Sequence, residues 1–320
     1  MRNPTFHYMH NCLCTIGVLL MLTFLYSCST TAQEFRSFHN KAPGGYNFWM
    51  YTPPATADSA HHATAVTSKY GKHRKQHTHR ELRPLVVFLH GASLCGHNLQ
   101  MVRRYGTLDA LDRGRKIDAY VLAPQNPGGA WKPDKLMHLC EWAIRNYDID
   151  TTRIYVLGMS LGGYGTIDFA AAYPHRIAAA MALCGGGTSK TLGNLNQLPL
   201  WILHGTVDRA VPISASDKVV ATMQAAGPTD RLIYSRLKGY NHGQPARIFY
   251  MKETYEWLFS HRLNDKGRPV NRSVTINTTN IPLAYRDLER KGALAGSTKG
   301  HTVTDTRESV VQTTKPTPVQ

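Results

Sequence analysis

The chain has 320 residues, 42% of them hydrophobic, enough for one full-sized domain with a buried core and without the marks of a second. Its formal charge is +16, but Lys and Arg are scattered and dense only from Lys69 to Arg83 and along the C-terminal tail. That pattern lacks the basic stripe of a nucleic-acid reader; attraction to anionic envelope surfaces or acidic polysaccharide fits it better, and a plainly solvated surface fits it best.

At the N-terminus, Arg2 leads into the apolar run Ile16 to Tyr26, too short to span a bilayer, so residues 1–27 read as a signal peptide. The following Leu25-Tyr26-Ser27-Cys28 resembles the lipobox of bacterial lipoproteins, although Tyr26 fits it imperfectly. On that reading Cys28 is the lipid-attachment site, and the protein is tethered to the membrane of a bacterial cell envelope on its periplasmic or outer-membrane face. Cleavage near Thr31-Ala32-Gln33, giving a freely secreted protein, is the alternative. Of the six cysteines, Cys12 and Cys14 leave with the leader and Cys28 takes the lipid. The odd remainder, Cys95, Cys140 and Cys184, argues against a disulfide framework, and Cys184 in Ala-Leu-Cys-Gly reads as a buried small hydrophobe.

Residues 28–42 read as a linker and 43–262 as the folded domain. Tyr46 to Tyr51 alternates and is aromatic, predicting a first strand closed by Pro53-Pro54. From 55 to 83 the apolar pattern collapses into a His/Lys-rich insertion, read as an exposed loop. Its histidines His61, His62, His73, His77 and His79 suggest no ordered metal geometry. Next come continuous apolar runs at 85–89, 119–123, 154–157, 177–183, 200–203 and 232–234, the mark of strands buried on both faces. Helix-length segments at 136–146, 161–173, 214–226 and 246–261 alternate with them. The alternation predicts an α/β fold, a mostly parallel sheet with helices on both faces. Residues 263–320, polar and rich in Thr, read as a disordered tail.

Gly158-Met159-Ser160-Leu161-Gly162 lies between a predicted buried strand and a predicted helix, the setting of a nucleophile elbow. Taken alone, the five residues also suit a glycine-rich phosphate turn with an incidental serine. A serine hydroxyl needs a histidine base, and that base needs a carboxylate to fix its tautomer. Asp208 follows the run at 200–203 and His242 follows the run at 232–234, in the order serine, acid, histidine. Asp217, the rival acid, falls inside a predicted helix that points away. For the oxyanion, the predicted backbone N–H donors are Leu161, next after the serine, and Ala92, in the His90-Gly91-Ala92-Ser93 turn. His90 itself reads as structural. Trp131 reads equally well as pocket wall or core.

These residues resemble the predicted esterases and peptidases among the α/β hydrolases, related to polyhydroxybutyrate-depolymerase-like and feruloyl-esterase-like enzymes. The resemblance runs through Pro84 to Ala92, Ala123-Pro124-Gln125, Arg153 to Thr166, Cys184 to Gly187, His204-Gly205 with Asp208, and Asn241-His242. It departs at Ser93, where the family often has glycine, and in the insertion. It implies the α/β-hydrolase fold and the triad Ser160, Asp208 and His242.

The connection from Leu183 to Leu200 is too short for a lid, so no large cap domain is expected and the cleft should be open. The expected function is a carboxylesterase acting through an acyl-enzyme on Ser160, on small or polysaccharide-linked acyl groups of acetyl or feruloyl type. A serine peptidase and a non-catalytic envelope binding protein are the alternatives. The pattern calls for no cofactor, no metal, no nucleic acid and no obligate protein partner.

Overall fold

The computed structural model describes residues 34–42, 44–54 and 81–288 and the backbone of 302–305. The leader, Cys28 and residues 55–80 of the insertion lie outside the described residues.

Among the described residues nine strands form one sheet: β1 (Glu34–Phe38), β2 (Asn47–Thr52), β3 (Arg83–Leu89), β4 (Tyr120–Gln125), β5 (Ile149–Met159), β6 (Ala179–Leu183), β7 (Leu200–Gly205), β8 (Leu232–Leu237) and β9 (Thr302–Asp305), in the order β8-β7-β6-β5-β3-β4-β2-β1-β9. Only β2 runs antiparallel to its neighbours. The helices are α1 (Thr107–Asp112), α2 (Pro133–Asn146), α3 (Leu161–Ala172), α4 (Ser214–Ala226) and α5 (Lys252–Phe259).

Every residue of β3, β4, β6 and β7 is buried, as strands covered on both faces require. Alternate side chains feed two cores. Phe88, Tyr155, Met181 and Trp201 face Leu108 of α1 and Trp257 of α5. Leu89, Val156 and Ile202 face Leu136 of α2, Ile167 of α3 and Val219 of α4. The mostly parallel sheet between helices is the one the alternation predicts and the α/β-hydrolase fold is the one the resemblance implies, with no cap domain among the described residues. The connection from β6 to β7 forms a 3₁₀ turn over Leu192–Gln197. Asp168 pins its start by accepting from the Thr188 and Ser189 amides, at 2.8 and 2.9 Å.

Three expectations change. Glu34–Phe38, assigned to a linker, is a strand paired antiparallel with β2. Phe35 and Ser37 point inward and Arg36 outward, a period-two signal only five residues long. The helix expected over 246–261 is a 3₁₀ turn, Gln244–Tyr250, then an extended Met251, then α5. The break is held because Thr254 Oγ1 and Tyr255 Oη of α5 donate to the carbonyls of Ile248 and Phe249 at 2.5 and 2.7 Å. Third, the tail is ordered at least to Leu288: Ile276, Ile281 and Ala284 are buried against the core. Arg115 makes a two-pronged ion pair with Asp287, both contacts 2.8 Å. Average composition hides such sparse anchors, each of which fills one place.

Candidate active site

Ser160 sits between the end of β5 and the start of α3 with φ 60 and ψ −121. For a residue with a side chain this is a strained conformation that persists only where the surroundings enforce it. Here backbone enforces it. A Cβ on Gly162 would lie 1.9 Å from the Leu89 carbonyl oxygen, and one on Gly158 would lie 2.5 Å from that of Gly162. Helix and strand therefore close to a distance only glycine permits. The Ser160 amide donates to the Leu183 carbonyl on β6 at 2.9 Å. The turn thus holds the serine on the C-terminal edge of the sheet, where ligands of open α/β sheets bind.

Asp208 lies just beyond β7 and His242 just beyond β8, on the same edge. Nδ1 of His242 donates to Oδ2 of Asp208 at 2.7 Å. The Asp208 side chain is fully buried, whereas that of His242 keeps 26% of its surface exposed. Oδ1 of Asp208 accepts the amides of Ala210 and Val211, both at 2.9 Å. Burial alone pushes the Asp208 carboxyl up, but the hydrogen bonds from His242, Val211 and Ala210 outweigh it and hold its pKa below the usual carboxylate range. An ionised Asp208 keeps the His242 proton on Nδ1, which leaves Nε2 with its lone pair. Asp217 is engaged elsewhere, accepting from Tyr234 Oη at 2.7 Å and pairing with Arg236.

The turn carrying Ala92 lies beside the serine: a Cβ on Gly91 would be 3.5 Å from Cβ of Ser160. Ala92 opens a short 3₁₀ turn to Leu94, and Leu161 opens α3. Two groups hold this turn. The Gly91 amide donates to Tyr105 Oη at 2.9 Å, a support that nothing in the sequence signals. His90 is fully buried; its Nδ1 donates to the Gly91 carbonyl at 2.7 Å and its Nε2 accepts the Asn126 amide at 3.0 Å. A single neutral tautomer meets both bonds, and burial lowers its pKa to about 4. Trp131 is core, with 3% of its surface exposed. Its ring occupies the space a Cβ on Gly165 would need, 2.6 Å away, and its Nε1 donates to the His90 carbonyl at 3.3 Å.

A cleft of about 480 Å³ opens at His242, lined by Val207, Arg209, Ala210, Asn241 and Gly243. Sequence spacing shows no metal-ligand pattern, yet the fold brings Cys184, His204 and Asp208, all buried, within 4.8 Å of one another through their potential ligand atoms. The motifs contain Cys184 and His204 but give neither a role at the site. One follows β6 and the other lies on β7, and they meet only in three dimensions.

No family model matches the chain. Over 138 residues it is 25% identical to the probable acetylxylan esterase A of Aspergillus clavatus, covering 43% of this chain and 41% of that protein. Over 146 residues it is 25% identical to acetylxylan esterase A of Talaromyces purpureogenus, covering 44% and 35%. The chain thus spans about two fifths of the length of the curated relatives it matches. Among solved structures it is similar to a thermostable esterase, with a TM-score of 0.55 at 25% identity over 71% of this chain and 63% of that one. The chain thus has the α/β-hydrolase fold and is similar to esterases built on it.

Proposed function

We propose that the chain is a serine carboxylesterase that removes small acyl groups, acetyl or feruloyl in type, from polysaccharide. The observation that carries this reading is the strained Ser160 turn set on the same sheet edge as the hydrogen-bonded Asp208–His242 pair. Ser160 Oγ attacks the ester carbonyl as Nε2 of His242 takes its proton. Asp208, ionised and buried, steadies the imidazolium. The amides of Leu161 and Ala92 donate to the oxyanion, an interaction worth about 3 kcal/mol per donor in such sites. The imidazolium then protonates the departing alcohol, and water repeats the cycle on the acyl-enzyme.

The open cleft beside His242 suits an acyl group projecting from a polymer better than a long buried chain. The likeness to acetylxylan esterases supports acetyl esters of a xylan-like backbone as the first substrate class to test. The lipobox-like segment ending in Cys28 supports an envelope-anchored enzyme, which a metabolic lipid label lost in Cys28→Ala would verify.

The decisive assay sets p-nitrophenyl acetate, acetylated xylan, a feruloylated oligosaccharide and a matched peptide amide side by side. Ester turnover well above amide turnover is expected. Ser160→Ala should lower it by about a million-fold, as removal of the nucleophile does in triad enzymes. Undiminished turnover in that variant sinks the mechanism.

A further inference from the structure

The buried face of the Asp208 carboxylate carries an arrangement that the acyl-transfer steps leave unexplained. Cys184 directly follows β6 and has φ 47, one of four positive-φ residues other than glycine among the described residues, another being Ser160. Its neighbour is Gly185, and glycine at 184 would adopt this backbone without strain. A side chain is present all the same, fully buried. Its sulfur lies within 4.8 Å of both the Asp208 carboxylate and the His204 ring.

His204, also fully buried, closes the same pocket. Its Nε2 lies 2.8 Å from the Val211 carbonyl, which can only accept, and 3.4 Å from Oδ2 of Asp208. The proton is therefore on Nε2 and is donated to the Val211 carbonyl, with the Asp208 carboxylate alongside. Ser216 Oγ lies 2.7 Å from Nδ1 of His204 and 2.8 Å from the Gly185 carbonyl, so its one proton serves either. Burial lowers the His204 pKa, which makes the neutral ring the resting form. His204 and Asp208 thus already have protein partners, and the Cys184 thiol packs beside them.

We infer that Cys184 is a positioning residue for the triad: its S–H, held in a strained backbone just beyond β6, fixes the Asp208 carboxylate that orients His242. The groups facing that carboxylate are then His242, His204, the Cys184 thiol and the amides of Ala210 and Val211. Strain at a residue that touches no substrate is accounted for by what its side chain reaches.

This inference rests on the reading of Asp208 as the triad acid, and its test is chosen to fail separately. Cys184→Ala removes the donor and keeps the backbone constraint; Cys184→Ser keeps a donor in nearly the same space. Expected for alanine is a kcat lowered ~3- to 10-fold, the size of one modest hydrogen bond, with KM unchanged. The acid limb of kcat/KM should move to higher pH, because a carboxylate with one donor fewer draws a proton onto His242 more strongly. Serine should restore both. A third readout needs no turnover: the proton NMR resonance of the His242 Nδ1–H, which should move in Cys184→Ala. Alanine matching wild type in kcat, pH profile and resonance overturns the proposal, as does serine as impaired as alanine.

If alanine does not fold, serine carries the test alone, since an O–H donates more strongly than an S–H and must displace the resonance; an unmoved resonance overturns the proposal. If the wild-type chain neither cleaves esters nor reacts with a fluorophosphonate, the esterase reading fails. The resonance would still report whether Cys184 bears on the Asp208–His242 pair.

Discussion

At the nucleophile end of the site, backbone presses on backbone: Gly162 and Gly158 lie where any Cβ would collide with a carbonyl oxygen, and the Ser160 amide is tied to β6. At the base end, side chains are held by other polar groups, Asp208 by two amides and His242. The first kind of constraint is steric, shared with the packing of the whole domain. The second is electrostatic and local, and it can be undone without disturbing the core. One end should therefore lose its fold when altered and the other its chemistry.

Asp208→Asn offers the largest effect. The amide preserves shape but no longer holds the proton on Nδ1 of His242, so kcat should fall by about 10⁴-fold with the melting temperature nearly unchanged. An asparagine variant that unfolds would make the base end structural after all. Next comes Gly162→Ala, where a methyl forced against the Leu89 carbonyl should destabilise the chain by roughly 4 kcal/mol in urea denaturation, at the upper end for single substitutions. A stable but inactive Gly162→Ala chain would break the contrast from the other side.

The smallest effect concerns His90, which supports the turn between the two ends. Its folded-state pKa, about 4, lies below the ordinary value of 6.5. The unfolded chain therefore binds the proton first. The stability this contributes is complete above pH 6.5 and is lost as pH falls toward 4, ~1.4 kcal/mol per unit and ~3 kcal/mol in all. His90→Gln should flatten that part of the stability curve measured between pH 7 and 4. Parallel curves for variant and wild type would show that His90 is not buried as a neutral ring.

The steric end was the more legible in the sequence. A strained strand-to-helix turn needs its glycines contiguous with the serine, so five adjacent residues carry the signal. The places of Asp208 and His242 beyond β7 and β8 were legible through chain order and through the apolar runs that precede them. Cys184, His204 and Ser216 were not, because their meeting depends on the register of β6 against β7 and on how α4 packs, and no spacing along the chain encodes that. Tyr105, which holds the Gly91 amide, is a lone tyrosine in an irregular stretch. The same holds for the segment after His261. Ile276, Ile281 and Ala284 are too widely spaced for any periodicity, yet each is buried.

The order of the sheet also fixes where the enzyme can be held. Ser160, Asp208 and His242 belong to the half formed by β5, β7 and β8, whereas Glu34–Phe38 lies near the opposite border, between β2 and β9. Any tether or affinity handle joined ahead of Glu34 therefore pulls on the border remote from the proposed triad. A molecule captured by that handle on a bead or a bilayer would turn its reactive half outward, and immobilisation at its N-terminal side should leave access to bulky polymer intact.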